Sequence, residues 1–189
     1  IRKGNLSLTQ GVFYNASRDY EGGDGILQDE IDTTLSEAVP LNKLLDLSIT
    51  YSDNIATLMV SRTLGGARLV REKTNALVGL SCQTDSNKTT PEIQFRLLKL
   101  LYENREDEYY SHIIELMRNT VFNDRLAKYI PKGIMAHKIG DYNEAVNDIA
   151  IVFTERPYII VTYSEGLDNA WEAIARISRM VYDEQQGKL

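Results

Sequence analysis

Apolar positions recur with a helical period from residue 41 onward and with a strand period after residue 133. Behind Pro40, the residues Leu41, Leu44, Leu45, Leu47 and Ile49 cover one face at i, i+3, i+4 spacing, which predicts a helix. Tyr51-Ser52-Asp53-Asn54 interrupts it. A second apolar stretch runs from Ile55 to Leu64 and stops at Gly65-Gly66, and another helix is expected over 67–78. Residues 81–90 are polar and irregular. Thr89-Thr90-Pro91-Glu92 is a helix start with Pro in the first turn, and Leu97, Leu98, Leu100 and Leu101 carry that helix to about residue 103. A further helix is expected over 107–118, with Ile113, Ile114 and Met117 inward. Residues 41–128 therefore read as almost entirely helical.

The period then shortens. Strands are expected over 133–139, 147–154 and 158–164, with Ile149, Ile151, Ile159, Ile160 and Val161 as β-branched support. Their short links predict an antiparallel meander. Asn169-Ala170-Trp171-Glu172 has capping-box spacing and opens a helix to about residue 185. Trp171, Ile174, Ile177, Met180 and Val181 form its apolar stripe. Residues 5–40 are turn-rich, with a loop at 20–25 and short strand or turn character at 29–36. The fold class is α+β: a mainly helical lobe over 1–130, then antiparallel strands flanked by a C-terminal helix over 131–189, in one integrated domain. Three strands leave two bare sheet edges. Ile1-Arg2-Lys3-Gly4-Asn5 reads as the end of a helix. Both features lead us to expect an upstream segment.

Composition narrows the function. The 189 residues carry a net charge of −6, which disfavours a general nucleic-acid partner and gives no pull toward anionic membranes. No apolar run approaches the roughly 18–20 residues that span a bilayer. Cys82 is the one cysteine, and the two histidines, His112 and His137, lie far apart, so neither a disulfide nor a zinc signature can be assembled. No metal or cofactor is expected. His112 reads as a helix-surface residue and His137 as structural. Glu72 reads as a surface salt-bridge partner, and Arg62, Arg68, Arg71 and Lys73 as a solvated helix face.

Two short motifs remain. Ser52-Asp53-Asn54 lies between helices, where Ser or Asp is commonly an N-cap. His137-Lys138-Ile139-Gly140 closes a strand, where a solvated Lys and a turn are common. Their order adds information. Ser-Asp-Asn is followed by Leu64-Gly65-Gly66, then by Thr89-Thr90-Pro91 opening a Leu-rich helix. Lys138-x-Gly140 then stands on a strand before a hairpin. Together with 131–140, Asn147-Asp148-Ile149 and Arg156-Pro157-Tyr158, this series resembles the penicillin-recognising serine hydrolases, and the class A β-lactamases in particular, over nearly the whole chain.

The resemblance implies a β-lactamase-like fold and an acyl-enzyme mechanism on β-lactams or the D-alanyl peptides of peptidoglycan. It implies that Ser52 relays a proton toward the departing nitrogen and that Asp53 holds the loop through backbone N–H bonds. Asn54 would offer its amide to a substrate carbonyl. Lys138 would orient the substrate carboxylate and help polarise Ser52. Gly140 would let substrate lie close to the strand, and the Asp141 N–H would be one oxyanion-hole donor. A cell-envelope or extracellular location is implied as well.

Three departures qualify this reading. No serine of the chain stands in Ser-x-x-Lys, the family's nucleophile motif, which is expected upstream of Ile1. Between Gly66 and Pro91 the only acids are Glu72 and Asp85, neither in the Glu-x-x-Leu-Asn setting that activates hydrolytic water. Ile139 stands where the family favours Thr or Ser, and one lost hydrogen bond to a charged group costs on the order of 1.5–3 kcal/mol. A serine β-lactamase-like hydrolase is the main expectation. A non-catalytic or deacylation-deficient penicillin-binding domain on the same fold is the alternative.

Overall fold

The computed structural model describes residues 6–30, 37–82 and 85–188. The expectations for residues 1–5 and 31–36 lie outside them. The chain forms two compact units, residues 1–88 and residues 89–189.

In the first unit, a two-residue strand β1 (Gly11–Val12) pairs antiparallel with β2 (Val39–Pro40). Gly11 is required there, because a Cβ would lie 2.7 Å from that of Ala38. Two single-turn helices, α1 (Ala16–Asp19) and α2 (Leu27–Glu30), lie between these strands in the chain. Then come α3 (Leu41–Thr50), α4 (Asn54–Thr63) and α5 (Ala67–Val78). Leu41, Leu44 and Leu47 of α3 pack with Ile55, Ala56 and Met59 of α4, and with Val12 and Leu27, in one apolar core. The expected i, i+3, i+4 face is the buried one. Gly79 ends α5 in the left-handed conformation that favours glycine.

Arg62 departs from the solvated face expected of it. It reaches Asp19, which is 1% exposed, with its Nε and Nη2 at 2.8 and 2.7 Å, and it also donates to the Phe13 carbonyl. The hydrogen bonds to Asp19 raise its pKa above the ordinary value against the opposing effect of burial. The remaining pair, Arg68 and Glu72, is an exposed i, i+4 contact at 2.9 Å, as expected.

In the second unit, α6 (Pro91–Glu103) starts with the Thr90 hydroxyl accepting from the Ile93 N–H, and α7 (Glu108–Arg118) with Asp107 accepting from that of Tyr109. Ile114, Leu116 and Met117 are the buried residues of α7, whereas Ile113 is 37% exposed. The expected helical run therefore stops at residue 118 rather than 128, because residues 119–134 follow turns fastened by side chains.

Three strands follow, β3 (Met135–Tyr142), β4 (Ala145–Val152) and β5 (Tyr158–Glu165), in the expected antiparallel order β3-β4-β5. β3 runs on past Ile139 to Tyr142, and β4 starts at Ala145, so the hairpin turn is Asn143-Glu144, with Asn143 at φ +52°. Gly140 and Asp141 hide this extension from a hydrophobic reading, yet the ladder pairs them with Asn147 and Val146. α6 and α7 both pack on the sheet.

The last helix, α8 (Ala170–Gln185), buries Ala170, Ile174, Ala175, Ser178 and Tyr182. Trp171, Ile177 and Met180, the core of the expected stripe, are 44%, 50% and 64% exposed. Small residues at 170, 175 and 178 allow close approach, and Ser178 fixes that face by donating to the Leu126 carbonyl at 2.7 Å. The capping box is also absent. Asn169 sits at φ +57° with no side-chain cap, and Glu172 turns outward to Lys128, Tyr129 and Arg176.

Candidate active site

The first candidate segment is the turn between α3 and α4. Asp53 is 1% exposed and is the N-cap of α4, with Oδ1 accepting from the Ala56 N–H at 2.8 Å. Its Oδ2 accepts from the N–H groups of Ile26 at 2.8 Å and Leu27 at 2.9 Å. One carboxylate thus satisfies three backbone donors from two chain segments, and charge-assisted bonds of this kind are among the stronger ones in proteins. Glycines make room for it. At Gly25, with φ +134°, a Cβ would lie 2.5 Å from the Asp53 carboxyl carbon, and at Gly23 one would lie 2.8 Å from the Asn54 amide nitrogen. The loop read at 20–25 therefore wraps the Ser-Asp-Asn turn.

Ser52 is held at φ +53°, a left-handed conformation that costs a non-glycine residue roughly 1–2 kcal/mol. The three bonds to Asp53 and the Asp53 N–H bond to the Leu47 carbonyl keep the turn in that shape. Asn54 donates its side-chain amide to the Gly22 carbonyl at 2.9 Å and its backbone N–H to the Asp24 carbonyl at 3.1 Å. The amide nitrogen expected to meet a substrate carbonyl therefore donates within the loop.

The second segment is the end of β3. Alternation puts Lys138, Gly140 and Tyr142 on one face and His137, Ile139 and Asp141 on the other. Lys138 is partly buried and donates from Nζ to the Ile139 carbonyl at 3.0 Å. A Cβ at Gly140 would meet nothing within 4 Å, so the strand is open to approach there. The Gly140 carbonyl accepts from Asn147 Nδ2. Ile139 is 6% exposed and packs in the core.

The other face carries two polar assemblies, neither of them expected. His137, 1% exposed, sets Nδ1 at 3.1 and 3.2 Å from the carboxylate oxygens of Asp148, which is fully buried and also accepts from the Leu126 N–H. Arg125, 2% exposed, grips the Asp141 carboxylate with Nη1 at 2.5 Å and Nη2 at 3.0 Å. Its Nε donates to Asp124 and its Nη1 also to the Asn147 carbonyl. Burial opposes the charge of Arg125, but the hydrogen bonds to Asp141 and Asp124 outweigh it and hold its pKa above the ordinary value. Arg125 lies in a stretch without period, so spacing gave no sign of it. The one available cue was an arginine flanked by Asp124 and Leu126 just ahead of a strand.

Ser52 and Asn54 thus share one turn, and Lys138, Gly140 and Asp141 share one strand end. A cleft of about 390 Å³ along α7, lined by Arg105, Arg118 and Phe153 among others, contains none of them. Among the described residues no group of three or more His, Cys, Asp or Glu could hold a metal ion. No helix among them is long and apolar enough to cross a membrane.

Solved structures place the fold. The chain superposes on PBP-A with a TM-score of 0.86 at 24% identity, covering 98% of this chain and 75% of that one. The β-lactamase of Sphaerobacter thermophilus gives 0.80 at 22%, with 97% and 76% covered. The class A β-lactamase of the last common ancestor of Gram-negative bacteria gives 0.80 at 18%, with 97% and 78% covered. A search of curated proteins finds no match. The architecture is thus that of the class A β-lactamases and PBP-A. The sequence pattern of the Beta-lactamase enzyme family matches residues 1–185, and the chain belongs to that family.

Proposed function

We propose that the chain carries the substrate-handling part of a serine β-lactamase-like acyl-transfer site for β-lactams or D-alanyl peptides. The observation that carries this reading is the Ser52-Asp53-Asn54 turn, shaped by three backbone bonds to one buried carboxylate. In this reading Ser52 passes a proton to the leaving nitrogen, for which a hydroxyl serves as both acceptor and donor. The side chain of Asn54 meets a substrate amide. Lys138 stabilises the anionic end of the substrate, and the Asp141 N–H supports the developing oxyanion. PBP-A, in a Leu-to-Glu mutant, is an acyl-enzyme complex with penicillin G, which makes that compound the natural first probe. In this reading the protein acts outside the cytoplasm.

One observation favours slow release of the acyl group. Glu72, the one glutamate between Gly66 and Pro91, is tied to Arg68 on an exposed helix face. The reading is tested by the intact mass of the protein with and without penicillin G. A persistent gain of one penicillin supports it, and rapid turnover without adduct would make the protein a β-lactamase proper. Neither adduct nor turnover would leave a ligand-binding domain.

A further inference from the structure

We propose that Asp141 sets the charge preference of the β3 end: its carboxylate occupies the guanidinium of Arg125 and closes it to a carboxylate brought by a ligand. The inference deepens the reading above and rests on it for the identity of the ligand.

The geometry carries it. Arg125 has five N–H donors. Four bonds account for most of them: Nε to Asp124, Nη1 to Asp141 and to the Asn147 carbonyl, and Nη2 to Asp141. Two carboxylates on one guanidinium give that group a formal charge of 1 − 2 = −1. Arg125 itself is 2% exposed, whereas the Asp141 carboxylate is 35% exposed. A ligand therefore meets the acid, not the base. Ile139, next to Asp141 on the same face, offers no polar atom to an anion. Gly140 between them faces the opposite side of the strand, so the Asp141 carboxylate is the polar group that a ligand meets on this face. An anionic ligand finds a fork already filled by an internal anion; a neutral ligand finds no such competitor.

The test uses phenylacetate as a plain carboxylate, followed through the Arg125 Nε–H resonance in the ¹⁵N-labelled chain. The wild type is expected to leave that resonance unmoved. Asp141→Asn keeps an oxygen for the guanidinium but removes the charge, and is expected to bind phenylacetate about tenfold more tightly. Adding Arg125→Lys to that variant, with phenylacetate affinity now read by calorimetry, should abolish the gain. A second arm compares penicillin G with its methyl ester by equilibrium binding. The acid-to-ester affinity ratio should rise about tenfold in Asp141→Asn.

A wild-type resonance that shifts on binding phenylacetate would overturn the proposal without any variant. So would an Asp141→Asn variant that folds and gains nothing. If phenylacetate discriminates as expected while no variant binds penicillin G or its ester, the role of Asp141 stands and the β-lactam reading falls.

Discussion

Two aspartates show how differently the units of this chain use a carboxylate. Asp53 is 1% exposed and serves three backbone N–H groups. Asp141 stands on a strand end, 35% exposed, and serves one arginine side chain. The first anion is part of the covalent framework's hydrogen bonding, and nothing that diffuses in can replace it. The second fills the fork of a single side chain, which only its removal would open to another anion. A carboxylate held by backbone builds a site, and one held by a side chain can tune it.

The largest effect expected from breaking the comparison is at Asp53. Asp53→Ala leaves three backbone donors without an acceptor, all at buried or half-buried positions, and should destabilise the chain by about 3–5 kcal/mol. Urea denaturation measures it. A loss under about 1 kcal/mol would show that the turn is held by other means. Gly25→Ala attacks the same turn from outside, by a Cβ 2.5 Å from the Asp53 carboxyl carbon at φ +134°. It should cost about 1–3 kcal/mol in the same assay.

Asp148 supplies the intermediate case, a carboxylate shared between a side chain and the backbone. Asp148→Ala removes the partner of His137 Nδ1 and of the Leu126 N–H, both buried, at an expected cost of about 2–4 kcal/mol. His137→Ala in the same background should add less than it does alone, because the two share one contact. Strict additivity in a double-mutant cycle would refute the coupling.

The smallest effect is at the surface. The hydrogen bond from Lys128, with those from Arg176 and Tyr129, holds Glu172 down to a pKa of about 2, from the ordinary 4.5. Its stabilising contribution is therefore complete above the unfolded-state pKa and is lost as the pH falls through about 2. Carboxyl NMR should place this midpoint well below those of the other glutamates, and Lys128→Met should move it up. A Glu172 midpoint near 4.5 would show that solvent dissolves the cluster.

Helix starts were legible because their chemistry is local. Thr90 before Pro91, Asp107 before Glu108 and Asp53 before Asn54 each cap the helix they precede. The meander was legible from the period-two runs at Ile149, Ile151, Ile159 and Val161. The polar end of β3 was not, since only pairing with β4 makes Gly140 and Asp141 strand residues. Of the buried face of α8, only Ile174 belonged to the expected stripe, for a related reason. Trp171, Ile177 and Met180 outweigh Ala170, Ala175 and Ser178 in any apolar count, but the smaller residues fit the approach of the sheet.

The sequence by itself determined the order of helices and strands from α3 onward and the family, and it nominated the candidate residues Ser52, Asn54, Lys138, Gly140 and Asp141. Those properties reside in neighbours a few positions apart and in motif order. Only the tertiary structure decided which charges meet. The bonds of Asp53 to Ile26 and Leu27 span 27 and 26 positions, and the grip of Arg125 on Asp141 spans 16. Such partners are chosen by the packing that removes water from around them, and burial makes each charge require a counterpart.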